Sequence, residues 1–187
     1  MRHLTALALA VLLVGCAHVA TKPMATETSA PELKAIAMYA YGQSREPVTI
    51  VEDMVREAAK GADGGEALAA DLSTLLTGNA TFDCKQFVCR QLAKIGTEAN
   101  VPSIAPLLYD DATVDIARFA LQPIPGNSVD TVLLKALRSG PAEARIGIIN
   151  TLGIRGSSST KGPLQKLAGG TDPKVAEAAK SALAKIG

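Results

Sequence analysis

Asp172-Pro173-Lys174-Val175-Ala176-Glu177-Ala178-Ala179-Lys180-Ser181-Ala182-Leu183-Ala184-Lys185-Ile186-Gly187, the last segment of the sequence, decides how the rest is read. Thr171 or Asp172 can cap a helix that begins with Pro173, whose missing amide costs nothing in a first turn. The helix runs from Pro173 to Ile186 and stops at glycine. Lys174, Glu177, Lys180, Ser181 and Lys185 can solvate its outer side.

Working back from Gly187, helix-like segments also end at Gly156, Gly126 and Gly96, at intervals of about thirty residues. The segments before these glycines are Ala142–Arg155, Val114–Pro125 and Phe82–Ile95. Leu92, Leu152 and Leu183 each stand four residues before their glycine, and small Ala93, Gly153 and Ala184 follow in phase. The intervening helices share the register. Ile104, Leu134 and Leu164 match, as do Leu107, Leu137 and Leu167, and the spacing of three places both sets on one helical stripe. Turns fall at Asp110-Asp111, Ser139-Gly140-Pro141 and Gly169-Gly170-Thr171-Asp172. Pro123 and Pro125 must end their helix early, because neither has an amide to donate. No segment alternates apolar and polar residues with β-branched enrichment, so the expected fold class is all-α.

The final segment resembles a HEAT-like repeat of the short bacterial kind that also occurs in phycobilisome lyases. Asn100–Gly126, with Val101-Pro102-Ser103-Ile104 leading to Leu107-Leu108, is similar to the same pattern, and so is Phe82–Gly96. The resemblance covers residues 82–187 and implies an α-solenoid of stacked helix pairs, a superhelix over residues 81–187. It carries over no catalytic residue. Upstream, Pro31–Tyr41, Val48–Lys60 and Glu66–Leu76 read as three helices that cap the open end of such an array, over residues 31–80. The polar stretch Tyr41-Gly42-Gln43-Ser44-Arg45-Glu46-Pro47 reads either as a structural turn or as part of a binding edge.

The first thirty residues have a different character. Arg2 and His3 precede an apolar run, Leu4 to Val14, broken only by Thr5 and too short for a permanent membrane span. Leu13-Val14-Gly15-Cys16 resembles a bacterial lipobox, which implies a lipoprotein signal peptide over residues 1–15 and lipidation at Cys16. Ordinary secretion with cleavage after Ala17 is the plainer alternative. Each acyl CH₂ buried contributes about 0.8 kcal/mol, and two or three chains anchor stably. Residues 16–30 read as a flexible tether reaching at most roughly 50 Å. Ala17 in the second mature position favours the outer over the inner membrane, so the expected location is the cell envelope, facing the periplasm.

Composition narrows the function. Of 187 residues, 19 are Lys or Arg and 18 Asp or Glu. That balance argues against a nucleic-acid binder. Trp is absent, Tyr and Phe number three each, and the two histidines, His3 and His18, lie before the domain. Histidine catalysis and a histidine-based metal site are therefore not expected in it, and no cofactor is expected. Cys84 and Cys89 sit five apart, about 140° around a helix, which a disulfide cannot span. They read as small buried apolar residues, with a reactive thiol as the lesser alternative. In a stacked array the second helices line one surface, and Lys85, Arg90, Asp115, Arg118, Gln122, Arg145, Asn150 and Arg155 are the residues expected to face outward from it. Arginine suits a protein interface, while a solvated helix face with local pairs such as Asp115 with Arg118 is the bland reading. The expected role is a lipid-anchored scaffold for an envelope protein. A bilin-lyase-like or ligand-handling enzyme and a spacer without a specific partner are the alternatives.

Overall fold

The computed structural model describes residues 31–187; the signal peptide, the tether and Cys16 expected from the sequence lie outside them. Among the described residues there are ten α-helices and no strand: the chain is all-α. The helices are α1 (Pro31–Ala37), α2 (Glu46–Ala58), α3 (Glu66–Thr74), α4 (Phe82–Ile95) and α5 (Val101–Ile104), then α6 (Val114–Leu121), α7 (Asn127–Ser139), α8 (Arg145–Arg155), α9 (Lys161–Ala168) and α10 (Pro173–Ile186). None is long and apolar enough to cross a membrane.

Local chemistry sets the boundaries. The Lys174 and Val175 amides donate to Asp172 Oδ1 at 2.9 and 3.2 Å, and Thr81 Oγ1 accepts from the Cys84 amide at 3.1 Å. Each side chain thus satisfies donors that an opening helix leaves without intrahelical partners. α4 and α10 accordingly span the ranges expected from the sequence. α2 keeps the expected length of 13 residues but starts two residues earlier, at Glu46, and most of the others are shorter. α6 stops at Leu121, because Pro123 and Pro125 withhold the amides that would pair with Phe119 and Leu121. α8 begins at Arg145, after a turn in which the Arg145 amide donates to the Ala142 carbonyl at 3.2 Å. α5 is a single turn, tightened into 3₁₀ geometry over Ala105–Tyr109, where Pro106 cannot donate to the carbonyl four residues back.

Packing joins these helices in order. α4 meets α6, α6 meets α8 and α8 meets α10, so the second helices lie side by side. Each also packs on the segment before it: α3 on α4, Ala105–Tyr109 on α6, α7 on α8 and α9 on α10. At the other end α1 packs on α2, and α2 packs on α4. One apolar cluster runs through the whole assembly, from Leu33 and Ile36 through Leu92, Ile104, Leu121 and Ile148 to Ala182. α8 and α10 approach most closely at Gly153, where a Cβ would fall 2.7 Å from Ala182 Cα. Ile104 and Leu164 are buried in the expected stripe, but Leu134 is only half-buried. Val129, Leu133 and Ala136 instead repeat the inward face of α7, at steps of four and three residues.

A buried polar side chain opens the first helical segment of three successive units: Asn100, Asp130 and Thr160, each four residues past a glycine. Each has its own solution. Asn100 accepts from the Thr97 amide at 2.8 Å and donates to Ser73 Oγ at 2.9 Å. Thr160 donates to the Ser157 carbonyl at 2.7 Å. Asp130 accepts from Arg155 at 2.7 Å. Buried polar groups persist when they are paired, and these fix the start of each unit.

Candidate functional site

The residues expected to face outward divide into two groups. Arg90, Asp115 and Arg145 are exposed, and Lys85, Gln122 and Asn150 are half-buried. Arg155 and Arg118 do not face outward.

Arg155 is a buried structural residue. Its side chain is 8% exposed and that of Asp130 4%, and Nε donates to Asp130 Oδ1 at 2.7 Å. Nη1 donates to the carbonyls of Leu121 (3.1 Å), Gln122 (3.0 Å) and Ile124 (2.5 Å), while Nη2 donates to that of Gly126 at 2.9 Å. The Leu121 carbonyl also accepts from the Ile124 amide at 3.2 Å, so the guanidinium adds a second donor at the helix end where Pro125 can supply none. Arg118 turns sideways into the joint between α6 and α8. It pairs with Asp115 at 2.7 Å and donates to the Gly147 carbonyl at 3.0 Å and to Thr151 Oγ1 at 3.1 Å. A side chain on Gly147 would collide with this guanidinium, since a Cβ there falls 2.6 Å from Arg118 Cζ.

The outward stripes hold other residues as well. On α6, Asp115 and Phe119 stand four apart on one face, and Phe119 is 57% exposed. On α8, Ile146, Asn150 and Ile154 recur every four residues, and both isoleucines are exposed. Exposed Phe119, Ile146 and Ile154 thus stand on the same helices as exposed Asp115 and Arg145, with Arg90 on α4. Two concavities flank these residues. One, of about 220 Å³, lies between α4 and α6, lined by Gln86, Cys89, Arg90, Asp115, Ile116 and Phe119. The other, of about 340 Å³, shares Gln86 and Arg90 with it and extends past Asp83 to Tyr39, Tyr41 and Arg45.

Hydrogen bonds tie the Tyr41–Pro47 stretch to this region. The Tyr41 amide donates to Asp83 Oδ2 at 2.9 Å, the Ala40 amide donates to Gln43 Oε1 at 3.0 Å, and Thr81 Oγ1 donates to the Tyr39 carbonyl. The Tyr41 ring itself is exposed. Residues 41–45 are therefore a fastened turn that borders the larger concavity through Tyr41 and Arg45, while Glu46 and Pro47 belong to α2. Phe119, Ile146 and Ile154 were not legible as surface residues: α8 reads as apolar on nearly every side, and only the helix-to-helix contacts show which side is free.

Burial and hydrogen bonding shift three titratable groups among the described residues, two thiols and one carboxyl. Cys84 and Cys89 are buried and unbridged. Burial pushes the Cys84 thiol up to about 11, with Lys85 opposing, and pushes Cys89 up to about 12, with Cys84 adding to the effect. A thiol so raised is a poor nucleophile at neutral pH. The Ser128 side chain, and then its backbone amide, hold the Glu98 carboxyl below the usual range. The amide donates to Glu98 Oε1 at 2.9 Å, so Glu98 serves the opening of α7 from outside that helix. Among the described residues no group of three or more His, Cys, Asp or Glu side chains gathers as a metal site would require. Comparison of the chain with protein-family models, with curated proteins and with solved structures gave no match.

Proposed function

We propose that this chain is a lipid-anchored α-solenoid scaffold of the bacterial cell envelope, built of HEAT-like helix pairs, that holds an envelope protein against its row of second helices. The observation that carries the reading is the ridge of Arg90, Asp115, Phe119, Arg145, Ile146 and Ile154, on helices that follow one another every thirty residues. Side-by-side second helices offer continuous contact area, and arginine with large apolar groups supplies the anchors that interfaces favour. α1 and α2 fit the role of a cap, since α2 packs on α4 beyond its paired α3 and α1 packs on α2. Cys16 would supply the membrane attachment and residues 16–30 the reach, with the outer membrane favoured.

Two variants test the reading. Photo-cross-linking from position 119 in intact cells should trap a discrete envelope partner, and Phe119→Asp with Ile146→Asp should abolish the adduct without altering helicity. The same adduct forming from a position on α1, or none from position 119, would refute the ridge. Cys16→Ser should move the protein into the soluble fraction; continued sedimentation with washed membranes would refute the anchor. A ligand-handling role has one observation in its favour: the concavity at Tyr39, Tyr41, Asp83 and Arg90 reaches the lower limit of volumes typical of small-molecule sites. A change in bilin absorbance on mixing would select that role.

A further inference from the structure

We infer that the groove between α7 and α9 seats an acidic amphipathic helix from a partner protein, on a face distinct from the α4–α6–α8 ridge. Leu134, Leu137, Leu167 and Pro163 form an apolar trough of about 230 Å³, and Arg138 and Lys166 contribute one cation from each helix. Residues 134, 137 and 138 on α7, and 163, 166 and 167 on α9, follow the same i, i+3, i+4 spacing, so each helix presents a short ridge. The furrow between two such ridges takes side chains that recur every four residues on a third helix.

Charge selects the occupant. α7 and α9 carry Lys135, Arg138, Lys161 and Lys166, and their one acid, Asp130, is buried against Arg155. Lys161 is engaged by the Gly187 carbonyl. Arg138 and Lys166 are exposed and have no ion-pair partner among the described residues. A segment that brings leucine-like side chains for the trough and carboxylates for its flanks satisfies both features at once. An anionic lipid surface matches the charge but has no side chains at helical spacing to fill a furrow.

The test is methyl NMR on the full chain held in phosphatidylcholine nanodiscs. The probe is a synthetic helical peptide of about sixteen residues, with Leu at i, i+4 and i+8 and Glu beside them. The expected result is perturbation of the Leu134, Leu137 and Leu167 methyls while those of Leu92 and Leu152 stay in place. The Arg138→Glu/Lys166→Glu variant should weaken binding about tenfold and should instead bind a peptide with Lys in place of Glu. Three results would overturn the inference: no perturbation at millimolar peptide, perturbation centred on α4 and α6, or equal binding of the Lys and Glu peptides. A fourth is perturbation of the same methyls by phosphatidylglycerol nanodiscs with none from peptide, which would assign the groove to the lipid surface.

Discussion

Arg155→Met is the sharpest test of how the units are joined. The substitution keeps the aliphatic reach of the side chain and removes all its donors. It leaves Asp130, 4% exposed, without its 2.7 Å partner. Breaking a buried ion pair from one side costs about 3–5 kcal/mol, because the remaining charge is stranded. The carbonyls of Gln122, Ile124 and Gly126 also lose the guanidinium donor, and that of Leu121 keeps only the Ile124 amide. We expect a loss of about 4 kcal/mol. With a urea m-value of about 2 kcal/mol/M, the midpoint should fall by about 2 M. Adding Asp130→Leu removes the stranded charge and should recover about half of the loss. Recovery stays partial because the loop carbonyls still lack a donor. Urea titration by circular dichroism gives both numbers. A loss below about 1 kcal/mol for the single variant would refute the reasoning, and so would complete rescue by the second change.

Four further outcomes follow from the same geometry. Leu152→Asp, at a fully buried position, should leave the chain largely unfolded at room temperature, whereas Leu134→Asp, in an open groove, should remain folded with at most about 1.5 kcal/mol lost; equal effects in thermal melts would contradict the assigned inward face of α7. Gly153→Val should lower stability by about 3 kcal/mol, despite Gly being the poorer helix former, because its Cβ would fall 2.7 Å from Ala182 Cα. Because its folded-state pKa lies below the ordinary 4.5, Glu98 adds stability that is fully present above that value and is lost as pH falls through the lowered one. Glu98→Gln should therefore flatten the acid limb of melting temperature as pH falls below 4.5, and an unchanged limb would dismiss the link to Ser128. Cys84 and Cys89 should resist a thiol-specific disulfide reagent at about pH 8 and react once urea unfolds the chain; rapid reaction of the native protein would contradict their burial.

What the sequence made legible was what neighbours along the chain decide. Asp172 announces α10, Gly96 and Gly187 mark where α4 and α10 stop, and both helices run as read, because a cap and a terminal glycine act within a few residues. The all-α class rests on the same local signals. The pair of Asp115 with Arg118 was legible, three residues apart, but the bonds of Arg118 to Gly147 and Thr151 and those of Arg155 were not, because these partners are distant in sequence. Asp130 lies 25 residues before Arg155, and the carbonyls that Arg155 bonds between Leu121 and Gly126 lie 29 to 34 residues before it. A clue was present: Arg155 stands directly before its glycine, where Ile95 and Ile186 stand before theirs. Polar character at that position read as exposure when it marked an internal bond. The ridge was legible in its charges and not in its apolar members, since an isoleucine on α8 looks the same whether a neighbouring helix covers it or water does.

The three polar openings, Asn100, Asp130 and Thr160, also bear on how such a chain can change over generations. Each is answered by different chemistry, and Arg155 answers both its own unit and the proline-broken exit of the unit before. A tandem copy of residues 127–156 inserted after Gly156 would bring a second guanidinium to an exit that contains no proline and is closed by the Gly156 amide on the Leu152 carbonyl. Growth by duplication is therefore penalised at that joint, and the order of the modules is written into their mismatched polar seams.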